Sequence, residues 1–130
     1  MKVKIIIIIS LAIIVVWFAF WQEQFVANTL SNMLVLCEDF KTSVEENNNL
    51  QSDAIQEELE ILDTYWQKRE EILCFMINHN DMKDVGDAIT NLKTFTMQND
   101  KPKSIEKVNL LIYYVNSYSH LMQFNLQNLF

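Results

Sequence analysis

The chain has 130 residues, 10 basic against 17 acidic side chains, and a single glycine and a single proline. This length has room for one domain with one modest core, and the scarcity of glycine and proline argues against a many-stranded β fold, whose turns need them. One glycine also excludes the glycine-rich loops that bind phosphates, while 8 basic against 17 acidic side chains in residues 22–130 disfavour nucleic-acid binding.

An uncharged apolar run, IIIIISLAIIVVWFAFW, occupies residues 5–21. A helix of this length spans roughly 25 Å, slightly less than a hydrocarbon core of about 30 Å. We therefore predict a transmembrane anchor over residues 5–21, preceded by residues 1–4 and followed by a domain over residues 22–130. A cleaved signal peptide is the alternative, but the run is longer than a usual signal and its bulky end offers no small-residue cleavage pattern.

The charges beside this run predict its orientation. Lys2 and Lys4 precede it, and the next basic residue is Lys41. The positive-inside rule then places the N-terminus in the cytoplasm and the domain outside the plasma membrane. Trp17 and Trp21 lie near the end of the run, where indole rings favour the interface between lipid and water.

Four apolar stripes at helical spacing follow in chain order. The first is a heptad pattern formed by Val26, Leu30, Met33, Cys37, Phe40 and Val44. The second, after a cap at Ser52 or Asp53, comprises Ile55, Leu59, Leu62, Trp66, Leu73 and Met76, with an interruption at Arg69 and an end at His79. The third, capped by Asp81, comprises Val85, Ile89, Leu92 and Phe95, and the fourth, after Pro102, comprises Ile105, Val108, Ile112, Val115 and Met122. The fold class predicted is all-α, a transmembrane helix continuing into a small antiparallel helical bundle.

Several short segments together resemble the domain of unknown function 4363 family. They are the lysine and isoleucine anchor, Trp66, the Phe75 to His79 stretch, the segment at Leu92 and the closing Asn125 to Phe130. The family comprises short membrane-anchored proteins, mainly of spore-forming Gram-positive bacteria. The resemblance implies the same topology and a link to multi-pass membrane partners, and it supplies no catalytic residue.

Two groups of side chains are candidate ion or proton sites. His79 and His120 each lie near a helix end, and a solvated or structural role is weighed against a metal or pH-sensing pair, which would use imidazole as ligand or titrating group. Asp81, Asp84 and Asp87 recur every third residue, as an oxygen-rich cation site would require, although helix capping explains the first two without an ion. We expect no bound cofactor.

Aromatic residues are concentrated in the last helix. The set comprises Tyr113, Tyr114, Tyr118, Phe124 and Phe130. Core packing is the simpler interpretation, and contact with a partner or with the membrane surface is the alternative. No serine, threonine or cysteine falls in a catalytic motif, so we expect no enzyme. We also expect Cys37 and Cys74 to remain unpaired, because in an antiparallel pair of helices they lie at different heights above the membrane.

Two functions remain. The first is a non-catalytic interaction or scaffold module outside the membrane, an accessory subunit that contacts a membrane protein or a second copy of itself. The second is a sensory bundle that binds a ligand or a metal, which would have to transmit its signal through an anchor preceded by only four residues.

Overall fold

The computed structural model describes the backbone of residues 1–129 and side chains as far as His120. It contains four α-helices: α1 is Lys2–Glu46, α2 is Asp53–Met76, α3 is His79–Met97 and α4 is Lys101–Leu129. No strand occurs in residues 1–129. The all-α fold class predicted from the four stripes is therefore confirmed.

Helix α1 joins the apolar run to the bundle without a break. Its 45 residues include no glycine and no proline, so nothing in the sequence interrupts the backbone hydrogen bonds over roughly 66 Å. Every side chain from Met1 to Trp21 is exposed, whereas the predicted heptad from Val26 to Val44 is buried. The helix thus has one half without protein neighbours and one half that forms a wall of the core.

The second half of α1 and the other three helices form a four-helix bundle. Contacts join α1 to α2, α2 to α3, α3 to α4 and α4 back to α1, as in a closed ring of antiparallel neighbours. The buried cluster draws on all four helices, with Phe40, Leu62, Ile89 and Leu111 among its largest members. The predicted antiparallel arrangement follows from the short connections, since each chain reversal returns the next helix beside the last.

The predicted break in the stripe of α2 has a structural cause at Arg69. Its guanidinium lies 3.6 Å from the centroid of the Tyr65 ring, and Nη1 donates a hydrogen bond to the Tyr65 carbonyl oxygen at 3.2 Å. The side chain therefore runs back along its own helix, and the core contact resumes at Leu73.

The end of the bundle away from the apolar run is closed by its two loops. Leu50 is fully buried, and its backbone N–H donates to Asn99 Oδ1 at 2.8 Å. Asn99 has a φ of 55°, in the left-handed region that asparagine tolerates better than most residues. Lys101 Nζ donates to the carbonyl oxygens of Glu45 and Asn47 at the end of α1. These bonds join the loop between α1 and α2 to the loop between α3 and α4, and the start of α4 to the end of α1.

Two predicted helix boundaries are wrong. Helix α2 ends at Met76 and not at His79, and α3 begins at His79 with Asn78 as its N-cap. The Asn78 side chain accepts a hydrogen bond from the Asn80 N–H at 3.0 Å, so Asp81 is a residue of the first turn and not the cap. Asparagine and aspartate are about equally good caps, and the sequence pattern alone favoured the later one.

The stripe of α4 is displaced by one position from its prediction at two points. Val108, Leu111 and Val115 are buried, whereas Ile105 and Ile112 are only half-buried. Ser104 is fully buried and its Oγ lies 3.4 Å from Thr96 Oγ1 on α3. The predicted core residue Met122 lies outside the described side chains.

Candidate functional site

Two hydrogen bonds between helices, one near each end of the bundle, show which residues lie at the end that faces the apolar run. Ser43 Oγ of α1 donates to Glu58 Oε1 of α2 at 2.9 Å, which sets the register of these antiparallel helices. Tyr118 Oη of α4 donates to the carbonyl oxygen of Asp81 in α3 at 3.1 Å. The second half of α2, the first turn of α3 and residues 118–120 of α4 therefore lie together beside the start of the packed half of α1. We call this end the base of the bundle.

Both histidines lie at the base. His79 is the first residue of α3, two positions before Asp81, and His120 is two positions after Tyr118, so the hydrogen bond between Asp81 and Tyr118 places both imidazoles at one level. Each side chain is exposed. The shared level agrees with the alternating helix directions, but both side chains are exposed, so the histidines do not form a buried pair.

The three aspartates do not converge on one point. Asp81 is half-buried in the first turn of α3, where a carboxylate suits the positive end of the helix, and Asp84 and Asp87 are exposed further along. Among the residues with described side chains, no group of three or more His, Cys, Asp or Glu could hold a metal ion. The structure does not bring the candidate histidines and aspartates into one coordination sphere.

The tyrosines of α4 divide into core and surface. Tyr118 is 7% exposed, and the Tyr114 ring stacks on it with centroids 6.5 Å apart. Burial, together with the negative charges of Asp81 and Asp84, raises the pKa of Tyr118 to about 12. Tyr113, in contrast, is 65% exposed and is the one tyrosine of the described set that is free for an external contact. The side chain of Phe124 and all of Phe130 lie outside the described residues.

The apolar half of α1 has the features of an anchor. By length and composition α1 is the one helix, within residues 1–129, that could cross a membrane. Lys2, Lys4, Trp17 and Trp21 are all exposed, and the Trp21 ring stacks between those of Phe18 and Phe25 at centroid distances of 5.9 and 5.6 Å. This aromatic ladder runs along α1 from the apolar segment to the base of the bundle.

An exposed apolar pair on α2 lies outside the predicted stripes. Phe75 is 90% exposed and Ile72 is 41% exposed, at the base end of the helix. Neither residue has the helical spacing of the stripe that contains the buried Leu73, so the stripe does not include them. The sequence nevertheless shows them as two additional apolar residues beside that stripe.

A polar groove between α2 and α3 was also not predicted. It has a volume of about 380 Å³, and its walls include Asp63, Trp66, Glu70, Lys83 and Asp87. Lys93 Nζ donates to Asp63 Oδ2 at 2.7 Å across one end. Trp66 is 3% exposed and its Nε1 has no hydrogen-bond partner within the described part of the chain. A buried indole N–H usually finds an acceptor, so this donor is the one unexplained polar atom of the groove.

These features define a class: an all-α protein in which a helix able to span a membrane continues unbroken into a four-helix bundle. The family model for Domain of unknown function (DUF4363) matches residues 20–129, and the chain belongs to that family. No curated protein and no solved structure matches the chain. The matched region begins at the end of the apolar run and covers the whole bundle, so the family relationship rests on the bundle.

Proposed function

We propose that this protein is a membrane-tethered, non-catalytic interaction module. Its anchor crosses the plasma membrane with the N-terminus in the cytoplasm, and the bundle outside serves as an accessory or scaffold subunit that contacts a membrane protein or a second copy. The observation that carries the proposal is the continuity of α1, from exposed apolar residues to buried core residues within one helix.

Continuity matters because it fixes how the bundle is presented. Only residues 22–25 separate Trp21 from the first fully buried residue, Val26, and all are helical. A helix without glycine or proline does not act as a hinge, so the bundle keeps a constant height and rotation above the bilayer. A partner in the same membrane then meets a surface that is already oriented, which lowers the entropy lost on association.

The charge distribution supports the orientation. The two lysines before the anchor act as cytoplasmic markers, and no Lys or Arg follows the anchor in the sequence until Lys41. An alkaline phosphatase fused after Phe130 should be active and a β-galactosidase fused there inactive. The opposite pattern would show that the bundle lies in the cytoplasm.

Co-purification tests the proposal. Full-length protein extracted in mild detergent should bring down a membrane protein, or a second copy, in stoichiometric amount. A variant with Glu23→Gly and Gln24→Gly introduces a hinge between anchor and bundle, and it should recover less of that partner. The matched control, Glu23→Ala and Gln24→Ala, removes the same side chains but keeps the helix, and it should recover as much as wild type. Equal recovery by all three would contradict the role of the rigid connection.

A sensory, ligand-binding bundle is the second candidate, and the groove at Trp66 favours it. A buried indole N–H with no acceptor is suited to a ligand that supplies an oxygen atom. Native mass spectrometry of protein extracted from its own membranes should then show a bound small molecule, and Trp66→Phe, which removes only the donor and part of the ring, should lose it. Recovery of a protein partner with no small molecule would favour the first candidate.

A further inference from the structure

The base of the bundle carries an apolar side chain that nothing in the described chain covers. Phe75 is 90% exposed, whereas no other large apolar side chain described beyond Trp21 exceeds 65%. Ile72 lies one turn above it on α2 and is 41% exposed. An isolated exposed leucine needs no explanation, but a nearly bare phenylalanine at the end that faces the anchor does.

The register of α1 and α2 gives the height of Phe75. Ser43 and Glu58 are level because of their 2.9 Å hydrogen bond, and the two helices run antiparallel from there. Phe75 is 17 residues beyond Glu58, which places it level with Val26, 17 residues before Ser43. Val26 follows Trp21 by five residues, so Phe75 is only about 8 Å above the level of Trp21 at about 1.5 Å per residue.

The length of the anchor brings Phe75 still closer to lipid. The uncharged run spans roughly 25 Å and a hydrocarbon core about 30 Å, so the bilayer boundary extends past Trp21 or the bilayer thins to meet it. If the boundary reaches Gln24, Phe75 is about 3 Å above it. The headgroup layer adds about 5–7 Å on each side. With the boundary at Gln24 Phe75 lies within the headgroup layer, and with the boundary at Trp21 it lies just above the outer edge of that layer.

We propose that Phe75 is a second membrane contact, which inserts between lipid headgroups beside the anchor while Ile72 lies just above them. This inference rests on the proposed function, because it requires that α1 spans the bilayer with the bundle beside it. The occupant is the lipid surface itself and no protein partner, since the anchor holds that surface within reach of Phe75 at all times. Phenylalanine is among the apolar residues that interfacial helices bury at the boundary between headgroups and acyl chains.

Two attachment points have a consequence that one anchor lacks. Adjacent helices in a bundle lie about 8–10 Å apart, so Phe75 meets the membrane at a distance from the axis of α1. The bundle then tilts on the anchor less freely than it would with α1 alone.

Depth measurement by spin labelling tests this contact in the full chain. Single cysteines replace Ile9, Phe75 or Ile61 in a background with Cys37→Ala and Cys74→Ser, and one chain is placed in each phosphatidylcholine nanodisc. Accessibility to oxygen against a water-soluble nickel complex reports the depth of each label. Ile61 is the matched control, because it is apolar, 49% exposed and on the same helix, but about 21 Å above Phe75.

The expected result is a label at 9 in the hydrocarbon, a label at 75 in the headgroup layer and a label at 61 in water. A label at 75 in water, with 9 in the hydrocarbon, overturns the Phe75 contact and leaves the anchor standing. A label at 9 in water overturns both the anchor and the contact. Labels at 61 and 75 that are equally immersed show that the bundle lies flat on the membrane, which overturns the depth assigned to Phe75.

A label-free measurement guards against the apolar character of the nitroxide. Hydrogen exchange of the segment 71–80 should be slower in nanodiscs than in detergent for wild type, and Phe75→Ser should abolish at least half of that difference. Ile61→Ser should leave it unchanged. Slow exchange that appears only when several chains share a disc would assign the Phe75 surface to a second copy and overturn the lipid contact.

Discussion

The hydroxyl group of Tyr118 donates a hydrogen bond to the main-chain carbonyl oxygen of Asp81, 37 residues earlier in the chain, at 3.1 Å. This bond joins α4 to the first turn of α3 at the base. Its acceptor lies in the first turn of α3, the helix that Asn78 caps. The base is thus held by a side chain from the last helix as well as by core packing.

Removing this hydroxyl should weaken the bundle without altering its shape. Tyr118→Phe keeps the ring that stacks on Tyr114, and it deletes one hydrogen bond worth about 0.5–1.5 kcal/mol. The unfolding free energy from denaturant titration should fall by that amount. Tyr113→Phe is the control, since Tyr113 is exposed, and it should be neutral within about 0.5 kcal/mol. Equal effects of the two variants would argue against the Asp81 contact.

The same residue predicts a loss of stability at alkaline pH. The pKa of Tyr118 is about 12 in the folded chain and about 10 in a solvated tyrosine, because burial and the nearby Asp81 and Asp84 disfavour the phenolate. As the pH rises, the unfolded state therefore releases this proton before the folded state does. The contribution of Tyr118 to the free energy of unfolding is thus complete below pH 10 and is lost as the pH rises through 10 toward 12. The pKa of Cys37 is also raised to about 12, so this thiol adds to the loss of stability in wild type and in Tyr118→Phe alike. The melting temperature should therefore fall less steeply between pH 10 and 12 in Tyr118→Phe than in wild type.

Asn99 should be sensitive to replacement for two separable reasons. It accepts the Leu50 N–H at 2.8 Å, and it has a φ of 55°, which costs a residue with a Cβ about 1–2 kcal/mol. Asn99→Ala loses the acceptor and keeps the backbone strain, whereas Asn99→Gly loses the acceptor but relieves the strain. We expect Asn99→Ala to lower the unfolding free energy by about 2–3 kcal/mol and Asn99→Gly by about 1 kcal/mol. The reverse order would contradict the left-handed conformation.

Much of the fold could be predicted because the periodic apolar pattern and the buried surface coincide. The heptad from Val26 to Val44 is buried at each predicted position, since α1 meets its neighbours along one face. The start of α3 was missed because Asn78 and Asp81 are both suitable caps, and only the hydrogen bond to the Asn80 N–H distinguishes them. The predicted stripe of α4 includes Ile112, but Leu111 is the residue that is fully buried.

The candidate site was harder to predict because it depends on the register between helices. Phe75 is an ordinary apolar residue in the sequence, and its proximity to the anchor follows only from the pairing of Ser43 with Glu58. The groove at Trp66 likewise requires that Asp63 and Lys93, 30 residues apart, face each other. Sequence periodicity describes the faces of single helices and does not say how far one helix slides along another.

Gly86 offers a test of the groove. It lies inside α3 without a positive φ, and a Cβ added there would lie 3.8 Å from both Trp66 Nε1 and Glu70 Oε1, which is ordinary contact. Gly86→Ala should therefore raise the unfolding free energy by about 0.5–1 kcal/mol, as expected for an unstrained helix interior. The apparent melting temperature of the purified protein measures this. A destabilised Gly86→Ala variant would indicate that the groove is narrower or otherwise occupied.

The two cysteines should react with very different rates, and the faster should be Cys74. Within the described chain both are free thiols, Cys37 buried and Cys74 half-buried. The register that pairs Ser43 with Glu58 places Cys74 about 15 Å further toward the base than Cys37, well beyond the ~7 Å between Cα atoms that a disulfide allows. Burial raises the pKa of both thiols, with added repulsion from Glu70 and Glu71 at Cys74. Because the thiolate is the reactive form, the labelling of either cysteine should accelerate as the pH rises.

A membrane-impermeant maleimide applied to intact cells should consequently modify one thiol per chain. Cys74→Ser should abolish this labelling and Cys37→Ala should leave it unchanged, because only Cys74 is both accessible and, in the proposed topology, outside the membrane. Adding denaturant after lysis should expose Cys37 and double the incorporated label. Labelling that needs cell lysis would place the bundle inside the cell, whereas native labelling that survives Cys74→Ser would show that the heptad of α1 opens at Cys37 and is not the closed wall of the core.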